Sequence, residues 1–103
     1  MKNVINSMIP IESRPERVGP RVTAIRECLE LSKAELADSI SLDRSTLTKI
    51  EKGETGLDIA KGELIAAIYG FGLDFIYRGD FSDAPERHRA KIASLAIPSR
   101  HKR

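Results

Sequence analysis

The stretch Lys33–Gly53 reads KAELADSISLDRSTLTKIEKG, and its spacing decides the fold. Ser32 stands just before it, with Glu35 three residues on. That pair is a capping box: the Ser32 hydroxyl accepts from the Glu35 amide while the Glu35 carboxylate reaches back. The helix started there buries Leu36, Ala37 and Ile40 and stops near Ser41-Leu42. Asp43 is a good N-cap for a second helix, Arg44 to Lys52, with Gly53 as its left-handed terminator. Only about three residues separate the two helices. The small Ala37 sits where they cross, and apolar Leu36, Ile40, Leu42, Leu47 and Ile50 alternate with polar positions.

Upstream, Val18, Val22, Ile25 and Leu29 recur at helical spacing, with Pro20 suited to a first turn. Downstream, Asp58 can cap a helix that turns Ile59, Leu64, Ile65 and Ile68 inward and ends at Gly70. Gly62 inside it costs roughly 1 kcal/mol against Ala, which points to a tight contact or a bend. Residues 72–77 form a short fifth helix ended by Gly79, and Asp83 or Pro85 can start a sixth that carries Ile92 and Leu95 and stops at Pro98. Helices this short are marginal alone, so they must pack together. The chain is therefore expected to be all-α: a compact five-helix domain over 18–79, an N-terminal arm over 1–17 kept extended by Pro10 and Pro15, and a C-terminal extension over 80–103. That extension should hold a short helix and end in the basic tail SRHKR.

Composition narrows the function classes. The 103 residues suit one domain. Basic and acidic residues number three and two in the arm, eight and ten in the middle, and six and three in the extension. The core is thus slightly acidic, and any nucleic-acid surface must come from local placement of charge. Five aromatics and no Trp argue against a stacking platform for single strands. The single Cys28 cannot form an internal disulfide, and with His88 and His101 it falls short of a zinc set, so no metal or cofactor is expected. Carboxylates form no recognisable catalytic pair, and Gly70 and Gly72 follow a helix instead of a strand, which removes a phosphate loop and leaves no enzyme reading. Without a signal-peptide core or a membrane-length apolar run, a soluble cytoplasmic protein is expected.

The two crossed helices have the make-up of a helix-turn-helix, in which the first crosses the phosphate backbone and the second projects into a major groove. The stretch resembles the Xre/Cro family of lambda-repressor-like DNA-binding domains. The likeness rests on Lys33 with Ala34-Glu35-Leu36-Ala37, on Leu47 followed by Ile50-Glu51-Lys52-Gly53, and on the closing Tyr69–Gly79, YGFGLDFIYRG. It spans about residues 18–79, with three pieces in order. At about 100° per residue, Leu47 and Ile50 point inward and Ser45, Lys49 and Lys52 almost opposite, with Thr48 on the flank. By resemblance, Arg44, Ser45, Thr48 and Lys49 read bases, while Ser32, Lys33 and Lys52 contact phosphates.

The resemblance also implies an ion pair between Arg26 and Glu51 that ties the first helix to the recognition helix. Two departures weaken the expected grip: Ser41 stands where the family favours Gly, and the loop 54–58 is acidic. Arg14, Arg17 and Arg21 are candidates to compensate at phosphates or a minor groove. The function so implied is a sequence-specific transcriptional regulator, a repressor by preference, binding double-stranded DNA as a homodimer. Phe75, Ile76, Tyr77 and Phe81 are candidates for the dimer surface. The rival is a protein-interaction module on the same fold, such as an antitoxin or antiactivator. A positive face over Lys33, Arg44, Lys49 and Lys52 favours DNA; an apolar or acidic one favours a protein partner.

Overall fold

The computed structural model describes residues 9–96. The basic end Ser99–Arg103, with His101, and the first eight residues of the arm lie outside the described residues. Six α-helices succeed one another, and no strand occurs among the described residues: α1 Pro15–Cys28, α2 Lys33–Ser39, α3 Arg44–Glu51, α4 Ile59–Tyr69, α5 Leu73–Arg78 and α6 Arg89–Ala96. Short 3-10 turns at Ile11–Ser13, Phe81–Asp83 and Glu86–His88 link or precede them. The fold is that of a lambda-repressor-like helix-turn-helix domain.

The first helix opens at Pro15, ahead of the expected Val18, because Pro fits the first helical position, where its missing N–H has no partner to lose. Arg14 before it is extended (φ −74°, ψ 152°), as a residue preceding Pro must be. Pro20 consequently falls inside the helix instead of in its first turn. α1 forms the centre of the core and packs on α3, α5 and α6. Its buried Val18, Val22 and Ile25 meet Leu36, Ala37, Ile40, Leu47, Ile50, Phe71 and Phe75.

α1, α2 and α3 end in the same way. After α1, Leu31 N–H donates to Arg26 O (2.9 Å) and Glu30 takes φ 59°. After α2, Leu42 N–H donates to Ala37 O (2.8 Å) and Ser41 takes φ 57°. After α3, Glu54 N–H donates to Lys49 O (2.9 Å) with Gly53 at φ 79°. These are Schellman ends, and only the third has the glycine that the left-handed residue prefers. Ser41 thus keeps the turn that Gly would make, at a cost of about 1–2 kcal/mol.

Two expectations about apolar residues are corrected. Within α4 only Gly62 and Ile65 are buried; Ile59, Leu64 and Ile68, expected inward, face solvent. The reason is that α4 is apolar on every side, so its pattern carries no phase. Conversely, Phe75 and Ile76, expected exposed, are fully buried, and Tyr77 and Phe81 are half-buried against the core. Phe75 meets Phe81 edge-on at 5.2 Å and Phe71 at 5.8 Å. Residues 80–96 add to the same core: Ala84 and Ile92 are buried, and His88 stacks on Phe71 at 5.8 Å.

Candidate nucleic-acid interface

The capping box forms as the residue types require. Ser32 Oγ accepts from Glu35 N–H (3.0 Å), and Glu35 Oε1 accepts from Ser32 N–H (2.8 Å). This sets the start of α2 and projects Lys33, whose Nζ approaches Thr48 Oγ1 on α3 at 3.5 Å. Asp43 occupies the N-cap position of α3, yet its carboxylate makes no capping bond and stays exposed, a correction to the role its residue type suggests. α3 buries Leu47 and Ile50; Arg44, Ser45, Lys49 and Lys52 are exposed and Thr48 is half-buried. Ser32 is exposed and Lys33 half-buried beside them. The seven residues thus lie along the start of α2 and the outer side of α3, with three exposed cations (Arg44, Lys49, Lys52) on α3 and its C-cap.

The far end of α3 is held against α1 at three points. Arg26 donates twice to Glu51, Nε to Oε2 at 2.8 Å and Nη2 to Oε1 at 3.1 Å, and Arg26 Nη1 donates to Leu31 O at 3.2 Å. The Glu51 side chain is only 6% exposed. The bond to Glu51 holds the Arg26 guanidinium above its ordinary pKa against the opposing effect of burial. Such a fork fixes direction as well as distance. Gly19 is the second point: a Cβ there would overlap Ile50 O and lie 2.8 Å from Glu51 O. Gly53 is the third, since a Cβ there would lie 3.0 Å from Glu16 Cα. Sequence reasoning missed Gly19, although a glycine in mid-helix, where Ala is about 1 kcal/mol better, was the available signal.

Not every arginine points outward. Arg21 is 8% exposed and turned into the protein, where it pairs with Glu12 and donates to Glu12 O (2.8 Å) and Ile76 O (3.0 Å). Burial lowers its pKa, against the attraction of Glu12. It clamps the 3-10 turn at Ile11–Ser13 onto α1 and α5, so it is unavailable to a phosphate. Arg17 stays exposed and pairs with Glu12 at 3.0 Å, and Arg14 Nε donates to Ile9 O at 3.3 Å. In the loop after α3, Asp58 accepts from Ala60 N–H (3.2 Å) as the N-cap of α4, and Lys61 Nζ donates to Ser41 O (3.0 Å) across the turn of the motif. Gly62 provides the tight contact its position implied: a Cβ would lie 2.6 Å from Tyr77 Oη, which donates to Leu57 O at 2.8 Å. Burial, with Asp58 and Glu63 nearby, raises the Tyr77 pKa to about 12. Cys28 is buried, which pushes its thiol up.

Among the described residues no cluster of His, Cys, Asp and Glu has the arrangement of a metal site, and no helix is long and apolar enough to cross a membrane. Comparison with curated proteins and with solved structures yields no match. The helix-turn-helix family model matches residues 23–76, just over half of the chain, from within α1 to within α5. With the fold, the crossed pair α2–α3 and this match in agreement, the chain belongs to the helix-turn-helix family.

Proposed function

We propose that this protein is a sequence-specific DNA-binding transcriptional regulator of the cytoplasm, acting as a repressor and binding double-stranded DNA as a homodimer. α3 reads base edges in the major groove of an operator. The observation that carries this reading is the character of the α3 surface. Its exposed side chains are Arg44, Ser45 and Lys49, followed by Lys52, and none of the exposed large hydrophobic residues lies on α2 or α3. A protein-binding face would place apolar side chains there. Arg44 and Lys49 are matched to guanine O6 and N7, and Ser45 and Thr48 to bases or phosphates. Ser32, Lys33 and Lys52 supply phosphate contacts that set the register without reading sequence. The bidentate Arg26–Glu51 pair and the Gly19 contact keep the angle of α3 to α1 fixed as it enters the groove. Occupying a promoter then excludes other proteins from it, with no chemical step required.

The test is a fluorescence-anisotropy titration with a DNA fragment from upstream of the gene, at two salt concentrations. Binding should weaken with salt, by roughly a 0.9 power of salt for each phosphate contact. Arg44→Ala and Lys49→Ala should each lose about 1–3 kcal/mol of discrimination between this fragment and scrambled DNA. Folded variants that bind as the parent does would remove α3 from the interface.

A further inference from the structure

A cleft of about 580 Å³ opens where the start of α1, the end of α5 and the C-terminal extension meet, and its volume is within the range of small-molecule sites. Its floor is one side of α1: at about 100° per residue, Glu16, Arg17, Pro20 and Arg21 fall within about 140° of one another. The 3-10 turn at Ile11–Ser13 contributes Glu12, and the end of α5 contributes Arg78. Phe81 and Ala96 bring apolar surface from the extension. The extension reaches this place because α6 runs antiparallel to α1. Lys91 pairs with Glu30 beyond the end of α1 at 3.3 Å, whereas Ala96 lies beside its start.

The charges around the cleft are unevenly satisfied. Glu12 pairs with both Arg17 and Arg21, and the remaining Arg21 donors go to Glu12 O and Ile76 O. One carboxylate between two guanidiniums leaves a surplus positive charge there. Glu16 and Arg78 are exposed and line the same cleft, yet neither forms an ion pair, with the other or with any described residue. A free anion and surplus cations around an apolar surface complement a molecule that carries an ammonium, a carboxylate and an apolar body. We infer that the cleft binds a small zwitterion, a free amino acid with an apolar side chain. Its carboxylate lies between Arg78 and Arg17, its ammonium meets Glu16, and its side chain rests on Pro20, Phe81 and Ala96. Two cations serve the carboxylate and one carboxylate serves the ammonium, so the acid end of the ligand is the stronger anchor. No residue of α2 or α3 lines the cleft, and the site stands whether or not α3 reads DNA.

Amide correlation spectra of the full chain labelled with ¹⁵N, titrated with free L-phenylalanine, test this. An open cleft and a ligand of this size give a Kd of about 1 mM, so the titration runs to about 20 mM. The amides of Arg17, Gly79 and Phe81 should shift along a saturable curve. Phenethylamine, which lacks the carboxylate, should bind about 10-fold more weakly, and 3-phenylpropionate, which lacks the ammonium, about 5-fold more weakly. Arg78→Gln and Glu16→Gln should each weaken L-phenylalanine by about 5-fold, the worth of one exposed ion pair, while circular dichroism shows both variants folded. An absence of saturable shifts, or shifts confined to amides away from the cleft, overturns the inference. So does 3-phenylpropionate or phenethylamine binding as tightly as L-phenylalanine, and so do two folded variants that bind it like the parent. The titration contains no DNA, so its failure is distinct from failure of DNA binding, which anisotropy reports.

Discussion

Replacing Gly19 by Ala separates two opposing effects of known size. In an open helix the change favours folding by about 1 kcal/mol, because Ala loses less backbone freedom. Here the added Cβ would overlap Ile50 O and lie 2.8 Å from Glu51 O, both of them backbone atoms at the end of α3 that no rotamer change can clear. α1 and α3 must separate by close to an ångström. Overpacking of this kind costs about 1–3 kcal/mol, and the upper end applies because backbone is hit. A net loss of about 2 kcal/mol should lower Tm by roughly 8–16 °C for a domain of this size. Gly56→Ala is the control, since the nearest neighbour of its Cβ is Pro15 Cγ at 3.9 Å. Thermal unfolding followed by circular dichroism decides the matter. A Gly19→Ala variant as stable as the parent, or more so, would refute the claim that α3 is seated by backbone contact with α1.

Four further outcomes are expected. Arg26→Ala should cost about 3 kcal/mol in urea unfolding, because it strands the buried Glu51 carboxylate; the double variant Arg26→Met, Glu51→Leu should recover most of that loss. Ser41→Gly should stabilise the fold by about 0.5–1 kcal/mol, the relief of left-handed strain less the extra freedom glycine has in the unfolded chain. Gly62→Ala should destabilise by about 1–3 kcal/mol through displacement of the Tyr77 ring, with loss of the bond to Leu57 O visible in the tyrosine ultraviolet titration. Tyr77 also makes stability depend on alkaline pH. Its folded pKa of about 12 exceeds the ordinary value of 10, so its contribution is full below pH 10 and is lost as pH rises toward 12; Tyr77→Phe should flatten that part of the stability profile.

Local chemistry made the α2–α3 motif legible. The Ser32–Glu35 box and the spacing of Leu36, Ala37, Leu47 and Ile50 act within one or two turns, and both helices stand where the residue types place them, α3 directly after Asp43 although that side chain makes no capping bond. Glu51 could be placed on the inner flank of α3 by phase alone, whereas its pairing with Arg26 required the family resemblance. What escaped the sequence depends on distant packing. α4 gave no direction because hydrophobic residues surround it. Phe75 and Ile76 looked available for a partner because a six-residue helix shows too little of its period, and the residues that cover them come partly from 80–96. Arg21 looked like a phosphate ligand because its acceptors, Glu12 and the Ile76 carbonyl, meet it only after the chain has folded.

The way α3 is seated has an evolutionary consequence. Leu47, Ile50 and Glu51, with backbone contacts to Gly19 and Gly53, hold the helix in place, and none of these is a residue that faces outward. Arg44, Ser45 and Lys49, all exposed, are therefore released from the demands of folding, and the half-buried Thr48 less so. On the proposed reading of DNA by α3, point mutations at these four positions redirect the protein to new binding sequences while the scaffold stays intact. Descendants of a duplicated gene could then diverge in target within a few substitutions, and a library randomised at these codons alone should yield mostly folded proteins.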